Sequence, residues 1–246
     1  MLPLDLLGKV FAGPSPEQPE ERPAEAIMPL LSIDIGCGAK KRSGYLGVDK
    51  LPLPGVDHTS DFASEPLPFA DNTVGQVFSS HCLEHLIDPT TLLRELTRVC
   101  VHGARIEFWA PYSWYGDAHF FDHVSFFNER QFLHVGVCHH EHWSKLLGGS
   151  WVIHRVTYSI FDHVLRDLRA NRVDVGFALR YYKDVANEMG LVFQIDKQNI
   201  LPHRMPQVSY AKGRDQRRHP LAGATQARAL RLLGRMASDL MSRLAP

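Results

Sequence analysis

Leu31-Ser-Ile-Asp-Ile-Gly-Cys-Gly38 decides the fold. It is a short apolar run with one acid near its end, and it breaks into Gly-x-Gly. A strand buried on both faces of a parallel sheet reads as such a run. The glycines then let the backbone turn sharply and pass close to a ligand. Eleven residues after Gly38 a second apolar run, Tyr45-Leu-Gly-Val48, ends in Asp49. A carboxylate at the tip of the neighbouring strand is how this architecture holds the two hydroxyls of a ribose. The two runs together imply a nucleotide-type ligand at the carboxyl edge of a parallel sheet.

Which ligand follows from what is missing. A dinucleotide fingerprint needs a third small residue three positions after the second glycine, and an acid about 20 residues on. Here that position holds Lys41, and Asp49 arrives too early for a helix between the strands. With no pyrophosphate cradle, a cofactor carrying ribose and adenine but no phosphate fits better, and S-adenosylmethionine is one. Four motifs stand in order: Asp34-x-Gly-Cys-Gly38, Lys41-Arg-x-Gly-Tyr-x-Gly-Val-Asp49, Leu67-Pro-Phe-Ala-Asp-Asn72 and Ser79-Ser-His-x-Leu-Glu-His-Leu86. In this order they resemble the class I S-adenosylmethionine-dependent methyltransferases, in particular the bacterial type 11 group. The resemblance covers roughly residues 30 to 135 and extends toward 214. It implies a Rossmann-like, doubly wound α/β fold. That fold has a mainly parallel sheet, helices on both faces and an antiparallel edge strand. It also implies S-adenosylmethionine as cofactor and S-adenosylhomocysteine as product.

Composition sets outer bounds. The 246 residues suit one α/β domain with additions, and 44% apolar with 22% charged residues is ordinary for a globular chain. Lys/Arg and Asp/Glu balance at 27 each, so no global field recruits nucleic acid. The balance is uneven locally: residues 201–246 hold nine bases against two acids, a net of +7. Cys37, Cys82, Cys100 and Cys138 lie far apart without a C-x-x-C pair. This argues against a zinc ribbon or a disulfide framework. No signal peptide and no run long enough to span a bilayer is read, so a cytoplasmic location is expected.

Residues 1–29 read as an N-terminal extension with a Pro/Glu-rich linker. Residues 30–214 read as the methyltransferase domain, and residues 215–246 as a basic C-terminal segment. In that segment Ala227–Leu244 forms an amphipathic helix with Leu230, Leu233, Ala237, Leu240 and Leu244 on one stripe. Such a helix suits a homodimer or a peripheral contact. Strands are expected at 30–35, 45–48, 56–60, 74–79, 105–109, 151–161 and 206–212, and a helix at 89–101. A helical insert is expected over about 162–190, and Leu191–Pro202 has no assignment.

Methyl transfer from a sulfonium is an in-line displacement with a neutral leaving group, so the enzyme chiefly aligns acceptor and methyl. A hydroxyl acceptor must also lose a proton. For the cofactor, Gly36, Cys37 and Gly38 supply the backbone under the methionine part, Asp34 braces that loop, and Asp49 holds the ribose. Asp61 and Phe62 are expected beside the adenine, and Ser80 and His81 at the methionine end. The aromatic stretch Tyr112–Phe127 is expected to form the acceptor site, with Tyr112, Trp114, Tyr115 and Phe126 as binding residues. Asp122-His-Val-Ser-Phe-Phe127 matches the Asp-His pair followed by two aromatics found at this point in the resembling family. His123 is the first candidate base, oriented by Asp122, with His119 and His81 next. His81, Glu84 and His85 carry metal-compatible spacing, as does Cys138-His-His-Glu-His142. Helix bracing accounts for the first, and contiguity argues against the second, so no metal is expected.

Strand four does not end in the Asn/Asp-Pro-Pro-Tyr run of adenine and glutamine amino methyltransferases, and no Pro-Cys nucleophile is present. The reading is methyl transfer to a hydroxyl of a small molecule or glycan, without nucleic acid. The alternatives are N- or C-methylation of a small metabolite, or a non-catalytic module that keeps the fold as a scaffold.

Overall fold

A computed structural model describes residues 29–213. The N-terminal extension and the amphipathic helix expected near the C-terminus lie outside the described residues.

Eight strands form one sheet. They are β1 (Leu31–Ile35), β2 (Leu46–Asp49), β3 (His58–Thr59), β4 (Val74–Ser80), β5 (Cys100–Pro111), β6 (Ser150–Ile160), β7 (Glu188–Asp196) and β8 (Gln207–Lys212). Their spatial order is β3-β2-β1-β4-β5-β7-β6-β8. The first five are parallel, with Ile33 opposite Leu46 on one side and Val77 on the other. β7 runs antiparallel to both β5 and β6, and β8 pairs parallel with β6. Ile33, Ile35 and Val48 are fully buried, as a strand covered on both faces requires.

The helices cluster around the later strands. α1 (Pro89–Val99) joins β4 to β5. Asp88 caps it by accepting the Thr90 N–H, Pro89 opens its first turn, and Leu92, Leu93 and Leu96 bury its inner stripe. α2 (Glu129–Leu133) and α3 (His140–Leu147) separate β5 from β6, joined by a π-helical turn at His134–Cys138. Between β1 and β2, by contrast, residues 36–45 carry no helix, and neither do the connections from β2 to β3 and β3 to β4. The early arrival of Asp49 therefore translates directly into a bare turn.

The insert expected as one helical segment over 162–190 is instead two short helices, α4 (Asp162–Ala170) and α5 (Val175–Tyr181), followed by the start of β7. Asp174 opens the second helix by accepting the Phe177 N–H at 2.8 Å. The unassigned Leu191-Val-Phe-Gln-Ile195 run is the middle of β7, buried on both faces. A short continuous apolar run has no period that separates strand from helix. Behind the sheet's centre Phe108, Trp151 and Phe193 pack as an aromatic cluster with centroids 5.4–6.2 Å apart. Trp151 Nε1 donates to Thr97 Oγ1 at 2.8 Å, so the buried indole is satisfied.

Candidate active site

The turn after β1 is built by aspartates. The N–H groups of Gly36 and Cys37 both donate to Val48 O, at 2.8 and 3.3 Å, which folds the loop over the end of β2. Gly36 and Gly38 sit at φ +66° and +53°, left-handed values that suit glycine. A Cβ on Gly36 would fall on the side chain of Cys82, so the loop also lies against the turn after β4. Asp34 is buried and accepts the Arg42 N–H at 2.7 Å; burial pushes its carboxyl above the ordinary range. Asp49 accepts the Gly38 N–H at 2.9 Å on one oxygen and the Leu51 N–H at 3.0 Å on the other. Asp57 takes the Gly47 N–H and Lys41 Nζ, each at 2.6 Å. Burial and the neighbouring carboxylates push the Cys37 thiol up to about 11, which leaves it protonated near neutrality.

The remaining cofactor candidates divide. Ser80 is half-buried at the tip of β4, and Ser79 beside it donates to Ile35 O at 2.8 Å, tying the two strand ends together. Asp61 is exposed and turns the chain locally, its carboxylate accepting the Ala63 N–H and its carbonyl the N–H groups of Ser64 and Glu65. Phe62 is buried in the hydrophobic core.

His81 stands at φ +55°, an uncommon backbone state for a side chain of this size. Its Nδ1 lies 3.2 Å from Glu84 Oε1 and its Nε2 3.3 Å from Glu188 Oε1. Glu188 first and Glu84 second push the imidazole up to about 9. A ring held as imidazolium between two carboxylates is a poor general base at neutral pH, which corrects the expectation that His81 ranks among the bases.

Two loops are stitched together beside it. The chain leaves β4 in a 3₁₀ turn, Leu83–His85. Glu84 O accepts the N–H groups of Val124 and Ser125 at 2.8 and 3.0 Å, and Ser125 Oγ donates to Leu86 O. This brings His123 against His85, with ring centroids 4.9 Å apart. His85 Nδ1 lies 2.9 Å from Asp122 O, and His123 Nδ1 lies 3.2 Å from Ala118 O. A carbonyl only accepts, so Nδ1 carries the proton in each ring and Nε2 keeps its lone pair in the neutral form. The carboxylate of Asp122 lies 3.7 Å from His85 Nδ1 and is largely exposed. Ala118, and not Asp122, therefore orients the His123 ring, which corrects the pairing expected from sequence.

His81, Glu84, His85, Tyr115, His123 and Glu188 line a cavity of about 350 Å³. His119 is not among its walls. It hydrogen-bonds Ser113 O through Nε2, stacks on Phe126 at 4.9 Å, and opens onto a neighbouring hollow with Trp114 and Lys183. Tyr112 is buried and donates to Glu129 Oε2 at 3.1 Å; burial pushes its phenol upward. With Trp114, Tyr158 and Tyr210 it lines a third, larger cavity of about 570 Å³. The sequence reading missed Glu188 and Asn187, both buried at the His81 cavity, because the segment carrying them was taken as helix.

Residues 33–108 match the family model described as a methyltransferase domain, type 11. Over that stretch the chain is similar to the class I methyltransferases, whose cofactor is S-adenosylmethionine. No curated protein matches it. Among solved structures it is similar to the YcgJ protein of Bacillus subtilis, at 13% identity and TM-score 0.45 over 69% of this chain and 93% of that one. It is also similar to a SAM-dependent methyltransferase from Archaeoglobus fulgidus, at 16% and 0.45 over 67% and 86% of the two chains. A possible histamine N-methyltransferase from Thermotoga maritima matches at 14% and 0.45 over 68% and 82%. No helix among the described residues is long and apolar enough to cross a membrane.

Proposed function

We propose that this methyltransferase acts on a hydroxyl of a small molecule or glycan, with residues 30–214 as the catalytic unit. The supporting observation is the lone pair of His123 Nε2, on a ring anchored through Nδ1, at a cavity on the carboxyl edge of β4 and β5. A neutral imidazole so oriented can take the proton that a hydroxyl loses on methylation. Gly36, Cys37, Gly38 and Asp34 carry the methionine part of the cofactor, Asp49 the ribose, Asp61 and Phe62 the adenine side, and Ser80 and His81 the methionine end. His81, as an imidazolium, contributes charge and position rather than basicity. Tyr115 borders the reacting centre, while Tyr112, Trp114 and Phe126 extend the acceptor surface into the adjoining hollows. His119 serves that surface.

The first test is binding. S-adenosylhomocysteine at 100 times its dissociation constant adds about 2.7 kcal/mol of stability to a protein that binds it only when folded. No thermal response would favour a scaffold without a working cofactor site. The second test is product release across acceptors that differ only in bearing a hydroxyl or an amine. Turnover on amines alone would move the reading to N-methylation.

A further inference from the structure

We infer that Glu84, His85 and His123 form a binding site for one divalent first-row transition-metal ion. One ligand atom from each lies within 4.8 Å of the other two, and this is the one such group among the described residues. Two histidines and one carboxylate with open positions make a recurrent three-ligand arrangement for such ions, with imidazole suited to zinc, iron, nickel and copper.

Three further observations point to a ligand. First, Glu84 is 1% exposed, and neither of its carboxylate oxygens has a hydrogen-bond donor. The ion pair of Oε1 with His81 Nδ1, at 3.2 Å, leaves Oε2 to offer. A buried carboxylate oxygen without a partner is costly, and a cation removes that cost. Second, both imidazoles donate Nδ1–H to backbone carbonyls, His85 to Asp122 O and His123 to Ala118 O. Metal-ligating histidines are commonly held this way, which fixes the tautomer and turns the other nitrogen to the ion. Third, the backbone holds the three ligands together independently of any ion. Glu84 O receives the N–H groups of Val124 and Ser125, the two residues that directly follow His123. A preformed set of this kind binds with little reorganisation.

The other histidine-rich stretch is arranged differently. His134 packs on His139 at 4.3 Å, and His140 stacks on His203 at 3.9 Å. The first is a tilted and the second a stacked ring contact, and neither includes a carboxylate.

The ion would border the 350 Å³ cavity, where it would lower the pKa of a coordinated acceptor hydroxyl. His123 Nε2 serves as the base when the ion is absent and as a ligand when it is bound. That part rests on the hydroxyl reading above, while binding of the ion does not.

The test uses the full chain, dialysed against a chelator and titrated without acceptor. Co²⁺ is followed by its visible absorption and Zn²⁺ by calorimetry. The expected result is saturable one-to-one binding. His123→Ala and Glu84→Gln should each weaken it about tenfold or more. S-adenosylhomocysteine affinity should remain within about threefold of wild type, showing that the variants stay folded. His140→Ala should bind the ion as wild type does. Absence of saturable binding overturns the site, as does binding that survives both His123→Ala and Glu84→Gln or is lost in His140→Ala. Intact metal binding without any response to S-adenosylhomocysteine would support the metal site while faulting the cofactor assignment.

Discussion

The two ends of the sheet solve the same problem in opposite ways. At the β1–β3 end the turns are bare, and each is closed by an aspartate that collects backbone N–H groups. Asp34 reaches 8 residues along the chain, Asp49 reaches 11 and 2, and Asp57 reaches 10. At the β4–β7 end helices return, and the side chains of interest meet only through contacts between distant segments. Ser125 reaches Leu86 across 39 residues, His85 reaches Asp122 across 37, and Glu188 comes from a strand beyond the insert. A crossover helix normally supplies the cofactor loop with N–H groups and a favourable dipole. Where it is missing, carboxylates must brace the loop directly. Asp49 thus braces the turn, and on the proposed reading it receives a ribose as well.

The largest expected effect would break the first half of this comparison. Gly36→Val combines a left-handed backbone with a side chain driven into Cys82. Overpacking costs about 1–3 kcal/mol, and the backbone state about 1–2 kcal/mol more. Binding of S-adenosylhomocysteine should be abolished in calorimetry. Gly36→Ala should be milder, and Gly36→Ala combined with Cys82→Ala milder still, if Cys82 is the obstacle. Wild-type affinity in Gly36→Ala would place the cofactor turn elsewhere.

Next comes the opposite end. If His123 acts as base or ligand for a hydroxyl, His123→Ala should lower turnover by about 10²–10⁴ with cofactor affinity nearly unchanged. Near-normal turnover would reduce His123 to a wall of the cavity.

A smaller effect sharpens the claim that Asp49 has two duties. Asp49→Ala removes acceptors for Gly38 and Leu51. Discounted for partial exposure, this costs about 1–2 kcal/mol of ligand-free stability, read from urea melts. S-adenosylhomocysteine affinity should fall as well. Lost affinity at unchanged ligand-free stability would make Asp49 a ribose ligand only. Affinity within about threefold of wild type would remove it from the site.

The same contrast explains what the sequence made legible. Leu31–Asp49 could be read because the hydrogen bonds that shape its turn span no more than a dozen residues, and the glycines and acids announce the turn themselves. The Asp122–His123 stretch announced reactive groups but not their orientation. Ala118 O, the donor-poor Glu84 and the Glu188 carboxylate reach the site only through strand order and loop stitching. Glu188 in particular was hidden because its segment read as the end of a helical insert, whereas it opens β7. Asp61 and Phe62 illustrate a third case. The sequence placed them at a strand tip, but β3 is only His58–Thr59, so the chain has already turned when it reaches them.

The smallest expected effect tests whether the site end and the opposite edge are separable. Leu67–Asn72, one of the four motifs that carried the resemblance, lies before β4, away from the glycine turn. It is held by Arg98, which donates to Phe69 O at 3.0 Å, Asp71 Oδ1 at 2.7 Å, Leu67 O at 3.1 Å and Glu95 Oε2 at 2.7 Å. Glu95 also accepts the Leu67 N–H at 2.8 Å, and Arg98 holds its carboxyl below the usual range. A carboxyl with a lowered folded pKa contributes stability that is fully present above its unfolded value. That contribution is lost as pH falls through the folded value. Glu95→Gln should therefore cost about 1 kcal/mol near neutrality. Its gap from wild type should close as urea melts are taken from about pH 7 down to about pH 3. Affinity for S-adenosylhomocysteine at neutral pH should stay at the wild-type level, because the knot grips α1 and the entry to β4 rather than the glycine turn. A gap that stays constant with pH would mean that the Gln side chain fails on packing rather than on charge. A fall in cofactor affinity would mean that the two edges of the sheet are coupled through β4.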